Sequence, residues 1–306
     1  MDSQSGLGHA VGVNYPFRYR FGLYIVLSLG GLISFGPLSA AQSTPNVSKP
    51  VYENSSVITA EEMAVKFDDF KQAIRPPYDV KPTHKFKVTY TTFRKKVDKD
   101  GNPLIKYRGE FFVDPEKGED ERVTLISQSN AKRPQLVQDD LDEFKTRDIG
   151  EGFYCGLGRE IMDALDGIDD FTDLDFQSTP SLPGQVSFNF KMPPNVVLSQ
   201  NKDRTQSDEN DPVMSRLIGH TKMEFNLEQN TFRPVSIRAL IDEPFNISAI
   251  ARMRAFDAIA TCGVAEDGTL YAKEVLSFAR WRIFGIGQRI HQIRALELMD
   301  KVSALE

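Results

Sequence analysis

Between Arg216 and Arg294 the apolar residues recur with a period of two, and this alternation constrains the fold more than any other feature of the chain. Met223, Phe225 and Leu227 interleave with Lys222, Glu224 and Asn226, and further runs cover Phe232 to Ile241, Ala251 to Thr261 and Leu270 to Ile293. Successive side chains on a strand point to opposite faces, so each run has one apolar and one wet face. A sheet of such strands has to cover its apolar face with a second sheet, with helices or with a ligand.

The same pattern occurs upstream. Phe86, Val88 and Tyr90 alternate with lysines and Thr89, strands follow at Leu104 to Val113 and Arg122 to Ser127, and Val186, Phe188, Phe190 and Met192 alternate from Gln185. Asp100-Gly101 and Asp267-Gly268 mark hairpin turns, where glycine takes the positive φ the turn requires. Gly285-Ile286-Gly287 reads as a kink or bulge ahead of a strand from Gln288 to Arg294. The chain is therefore mainly β with a few helices.

Thr59-Ala60-Glu61-Glu62 has the spacing of a capping box, and Met63, Phe67, Phe70 and Ile74 follow at helical spacing until Pro76-Pro77 ends the helix. Leu136, Leu141 and Phe144 suggest a short helix, and Phe153, Leu157, Ile161 and Leu165 a second one carrying Cys155. Asp163 to Asp175 is rich in carboxylates, but it lacks the ligand spacing and closing glutamate of an EF-hand loop and reads as a solvated connector. Ser199 to Asp211 has no periodic apolar residue and reads as an exposed loop.

Arg18 and Arg20 precede the apolar run Phe21 to Phe35, which is followed by Gly36-Pro37 and the small residues Ser39 and Ala41. That is the layout of a secretory signal peptide over residues 1–41, shorter in its apolar part than a spanning helix requires. A polar lead-in, 42–57, then precedes a single β-rich domain, 58–306, with a helical, acidic middle at about 131–180. The expected location is periplasmic or secreted.

The formal net charge is −6. Without residues 1–41, which hold Asp2, Arg18 and Arg20, it is −7, from 35 basic and 42 acidic residues. No Lys/Arg-rich block appears in the sequence, so neither nucleic acid nor an anionic membrane is an expected partner. The chain contains no GxSxG, HExxH or GxxxxGK[ST] motif, and the glycine-rich stretch Gly150 to Gly156 has Cys155 where a dinucleotide loop needs its third glycine. His84, His220 and His291 read as half-exposed sheet residues. Nothing implies a cofactor or a metal, and nothing argues for an enzyme.

The segments "YRGEFFVDPEKGEDERVTLIS", "QVSFNFKMPP", "LIGHTKMEFNLEQNTFRPVSIRAL" and "EDGTLYAKEVLSFARWRIFGIGQRI" together resemble outlying members of the periplasmic lipoprotein-carrier (LolA/LolB-like) superfamily. The markers are the strand Gly219 to Leu227, the return strand with Phe232-Arg233-Pro234, and the late strand opened by Asp267-Gly268. The resemblance covers residues 85–294 by pattern and departs from the carriers in the acidic middle. It implies an open antiparallel half-barrel whose concave face is covered by helices, and a lipid, lipoprotein or other apolar ligand as partner. The alternatives are an envelope structural or interaction protein whose apolar face is filled by its own helices, and an enzyme without a recognised motif. Phe188, Phe190, Phe225, Ile237, Phe256, Phe278 and Trp281 are the candidate lining residues, although Phe278 and Trp281, three apart, fall on opposite faces unless a bulge intervenes.

Cys155 and Cys262 allow one intramolecular pairing, which export would permit; the alternative is two buried thiols. The small pair Ser39 and Ala41 predicts a mature N-terminus at or beside Gln42. N-terminal sequencing of secreted material checks this, and an intact leader on such material would contradict it.

Overall fold

The computed structural model describes residues 57–97, 103–129, 152–168, 171–192 and 212–299. The leader, the Leu136–Phe144 helix, the Asp100-Gly101 turn and the Ser199–Asp211 loop lie outside the described residues. The dominant element is one antiparallel sheet, open rather than closed into a barrel. Its strands are β1 (Lys85–Val97), β2 (Pro103–Val113), β3 (Val123–Ser129), β4 (Asp175–Thr179), β5 (Gln185–Lys191), β6 (Lys222–Glu228), β7 (Pro234–Ile241), β8 (Phe245–Asn246), β9 (Ala251–Val264), β10 (Leu270–Ile283) and β11 (Ile286–Met299).

The spatial order is β3-β2-β1-β11-β10-β9-β7-β6-β5-β4, with β8 on β9. The chain winds as a meander whose first arm, β1 to β3, joins the last strand through the β1–β11 pair, Lys85 opposite Met299 and Thr92 opposite Gln292. Alternation holds strand by strand: on β6, Met223, Phe225 and Leu227 are buried and the four residues between and beside them are half-buried. The edges are managed. β4 is short and has no fully buried residue, and β3 ends in exposed Gln128 and Ser129, so neither edge offers a long apolar template.

Helices cover the concave face. The capping box forms as expected, Glu62 N–H donating to Thr59 Oγ1 (3.1 Å) and Thr59 N–H to Glu62 Oε2 (2.9 Å). The expected single helix is instead two, α1 (Ala60–Val65) and α2 (Phe67–Ile74), broken at Lys66, whose φ of −103° and ψ of 11° are not helical. The apolar stripe survives the break, since Met63, Phe67, Phe70 and Ile74 are all buried. Two further helices are α3 (Arg159–Asp166) and α4 (Pro212–Gly219).

The middle of the chain differs in detail from its reading as sequence. Cys155 is not helical: Tyr154 bridges Tyr271 and Cys155 N–H donates to the Leu270 carbonyl (3.3 Å), so this segment runs beside β10 until Gly158 caps α3. The acidic connector is anchored rather than merely solvated. Ile168, Phe171 and Leu174 are buried while Asp173 and Asp175 face water, and residues 175–179 form β4.

Two turns show why one hairpin was legible and the other was not. At Asp267-Gly268, Gly268 takes φ 86° and Asp267 Oδ1 accepts from Thr269 N–H (2.9 Å), as expected for that pair. The supposed kink at Gly285 is a tight turn between β10 and β11, with φ 49° at Phe284 and 78° at Gly285 and Ile283 opposite Ile286. Both central residues have positive φ, the I′ geometry that favours Asn-Gly, and phenylalanine is a poor fit to it. Phe284 is 72% exposed and so gains little from packing. Phe284→Asn is therefore expected to stabilise the fold by about 1 kcal/mol, read as a rise of ~2 °C or more in the melting midpoint.

Candidate functional site

The concave wall is built from lateral rows of inward side chains. One row runs Phe188, Phe225, Ile237, Ala260, Val275, Arg294, Tyr90 across β5, β6, β7, β9, β10, β11 and β1, each opposite the next. The adjacent row runs Phe190, Met223, Ala239, Ala258, Ser277, Gln292, Thr92. Side chains are large over β5 and β6, mixed on β7 with Ile237 and Ala239, and alanine in both rows on β9. Helix α2 meets the large end. The ring of Phe70, fully buried, lies 5.1 Å from Phe225, 5.3 Å from Phe188, 6.3 Å from Phe190 and 6.4 Å from Phe232, at 68° to 89° to each. Edge-to-face packing of this kind adds ~0.5–1.5 kcal/mol per pair to the burial itself.

Over the small end lies residue stretch 154–158, held from both sides. Cys155 is joined to Cys262 of β9 by a disulfide with Cα atoms 5.6 Å apart, as the two-cysteine count allowed. Leu157 N–H donates to the Ile74 carbonyl (3.2 Å), and the Tyr78 hydroxyl donates to the Leu157 carbonyl (2.7 Å). Arg75 donates to both oxygens of Asp166 (2.5 and 2.8 Å), and Arg159 pairs with Asp79 (2.9 Å) while stacking over Tyr78. Gly156 is required at this junction: a Cβ there would sit 2.6 Å from the Ile74 carbonyl and 2.4 Å from Pro76 Cγ. Beneath the stretch, Tyr78, Leu157, Met223, Ala239, Ala258, Ala260 and Ala272 enclose a cavity of about 30 Å³. That is room for a water molecule or two, far below the ~300 Å³ or more of a site for a lipid-sized ligand.

Of the seven sequence-derived lining residues, the fold brings six together. Phe188, Phe190, Phe225, Ile237 and Phe256 are buried in the concave core, and Trp281 packs half-buried against it. Phe278 is on the other face, opposite Asp257 and His291, with the Arg289 guanidinium 5.5 Å from its ring centre. The parity rule accounts for this. Between Phe278 and Trp281 β10 keeps its alternation, while the register shift beside Trp281 falls on β9, where Arg254 is the extra residue between partners Met253 and Ala255. That bulge turns both Met253 and Phe256 inward although they are three apart. Phe70, Phe232 and the floor of alanines were not singled out as lining; alanine gives no period-two signal strong enough to read.

The histidines lie in separate settings. His84 Nε2 lies 3.0 Å from Asp267 Oδ2, and His220 stacks on Phe245 at 4.0 Å with its pKa lowered chiefly by burial. Among the described residues, no three His, Cys, Asp or Glu side chains are placed to hold a metal ion, and no helix is long and apolar enough to cross a membrane. Compared with protein families, with curated proteins and with solved structures, the chain matches none.

His291 is buried rather than half-exposed, its ring 4.3 Å from that of Phe93. Burial, aided by the charge of Arg289, pushes its pKa down to about 4. The folded protein thus refuses a proton that the unfolded chain takes up below the ordinary histidine value. Stability is full above pH ~6.5 and falls as the pH drops toward 4, by up to about 3 kcal/mol from this one group. Denaturant titrations across that window check the slope, and His291→Gln is expected to flatten it.

Proposed function

We propose that this protein is an exported interaction protein of the cell envelope, whose half-barrel holds its own helix where a carrier would hold cargo. The observation that carries the proposal is Phe70, seated at 0% exposure among four other phenylalanine rings, while the cavity beneath residues 154–158 measures only about 30 Å³. Export is supported by the leader-like residues 1–41 and by the Cys155–Cys262 disulfide, a bond that persists in oxidising compartments.

A carrier of lipid, lipoprotein or another apolar ligand is the second reading. It is favoured by the resemblance in strand pattern and by the alanine floor at Ala239, Ala258, Ala260 and Ala272, which would become an apolar groove if the 154–158 stretch and α2 moved away. One pair of measurements separates the two. With a self-filled interior, the wild type does not take up a fluorescent fatty acid, and Phe225→Ala, with Phe225 2% exposed, costs ~3–5 kcal/mol of stability. Saturable probe uptake by the wild type, altered by Phe225→Ala at little cost in stability, would establish the carrier instead.

A further inference from the structure

On the convex face, the fold assembles an arginine cluster that the linear sequence disperses. Arg252 is directly opposite Arg282, and Arg280 is directly opposite Arg289. Arg280 and Arg282, two apart on β10, share a face, and the β9 bulge adds Arg254 beside them. Arg252, Arg280 and Arg282 are exposed. Elsewhere on this sheet cross-strand charges are matched: Lys87 is opposite Glu297 at 2.6 Å, and Arg238 reaches Glu224 (3.0 Å) and both oxygens of Asp257 (2.8 Å). In the cluster, none of the five has a carboxylate partner among the described residues, and the buried Nε atoms of Arg254 and Arg289 have no hydrogen-bond acceptor there. The mutual repulsion is strong enough to lower the Arg254 pKa, Arg282 being the largest contributor. Like charges directly opposite on a sheet are destabilising, so the arrangement calls for an anionic counterpart.

The apolar residues at the same end identify the kind of counterpart. The β10–β11 turn projects Phe284 (72% exposed) and Ile286 (60%), and Phe284 N–H donates to the carbonyl of Ile250 (48%), which brings that third apolar side chain alongside. Exposed apolar groups at a loop tip, backed by cations, match the two layers of a bilayer surface: acyl–headgroup boundary and phosphate. Arginine forks suit phosphate oxygens, and the exposed Arg252, Arg280 and Arg282 present such forks. We propose that the β10–β11 tip docks on an anionic phospholipid surface, with Phe284, Ile286 and Ile250 entering the interface and Arg252, Arg254, Arg280, Arg282 and Arg289 taking headgroup phosphates. The expectation from sequence that no anionic membrane is a partner is thereby revised, because three strands bring together what no single block contains. The docking is independent of whether the concave face is self-filled.

Vesicle co-sedimentation of the full chain tests it, with phosphatidylcholine vesicles against vesicles of phosphatidylcholine and phosphatidylglycerol. Because residues 1–41 are common to every variant, the anionic-minus-zwitterionic difference is the readout. The wild type is expected to prefer the anionic vesicles, with the preference lost at high salt. Arg252→Gln/Arg282→Gln is expected to partition on the order of 30-fold more weakly. Its melting midpoint should be unchanged or higher, because repulsion is relieved, so loss of binding is not loss of fold. Phe284→Asn should weaken binding at the same net charge. Equal partitioning on both vesicle types, or unaltered binding by the double variant, would overturn the proposal. So would binding of duplex DNA that matches the vesicles and survives Phe284→Asn, which would mark the cluster as a nucleic-acid surface.

Discussion

The structure depends on covering one side of a wide, curved sheet, and the Phe70 ring does most of that covering at the point where the wall is most aromatic. A helix as short as α2, eight residues, is not stable in water by itself. It exists because its apolar stripe, Phe67, Phe70 and Ile74, is buried against the sheet and its neighbours, each large side chain contributing ~1.5–3 kcal/mol. The Thr59–Glu62 capping box sets where the helical segment starts, and Pro76-Pro77 sets where it stops. Between those limits the chain breaks at Lys66, and the apolar residues on both sides of the break, Met63, Phe67, Phe70 and Ile74, are buried.

The size gradient along the inward rows explains how one lid covers a wall of varying depth. Phenylalanines on β5 and β6 fill space from the sheet side, so α2 needs only one ring to complete the core. Alanines on β7 and β9 leave depth, and the backbone of residues 154–158 descends into it, which is why that stretch tolerates no Cβ at Gly156. The Cys155–Cys262 bond then ties the lid to the strand it covers, 107 residues away in sequence. By chain entropy alone a loop of that length is worth ~4–5 kcal/mol.

Strand periodicity made most of the sheet legible, and the failures have local causes. The strands at Lys222 and Gln185 were legible to within a residue because each alternates large apolar and polar groups, while for β10 only the start at Leu270 was, through the Asp267-Gly268 turn before it. Phe278 departs from the concave set because parity, not side-chain size, decides its face: it is buried beside His291 and Arg289 on the convex face. The Phe284-Gly285 turn was missed because its first residue is not one that positive φ selects. The kink at Lys66 has no proline or glycine to announce it. The arginine cluster was invisible to a search for charge blocks, since it depends on the pairing of β9, β10 and β11 and on a bulge that only the register reveals.

The same strands connect the two ends of the molecule and keep them apart. Cys262, which fastens the lid, and Arg252, in the cationic cluster, are ten residues apart on β9, about 33 Å along an extended strand. They also sit on opposite faces, Cys262 packing against the concave core and Arg252 exposed on the convex side. A surface bound at the β10–β11 tip therefore does not touch the lid. Loading an acyl chain from a bilayer calls for a mouth at the bilayer. Here the end with the cationic and apolar tip is remote from Cys262, where the 154–158 part of the lid is fastened over the alanine floor, and that separation weighs toward a docked protein with a filled interior.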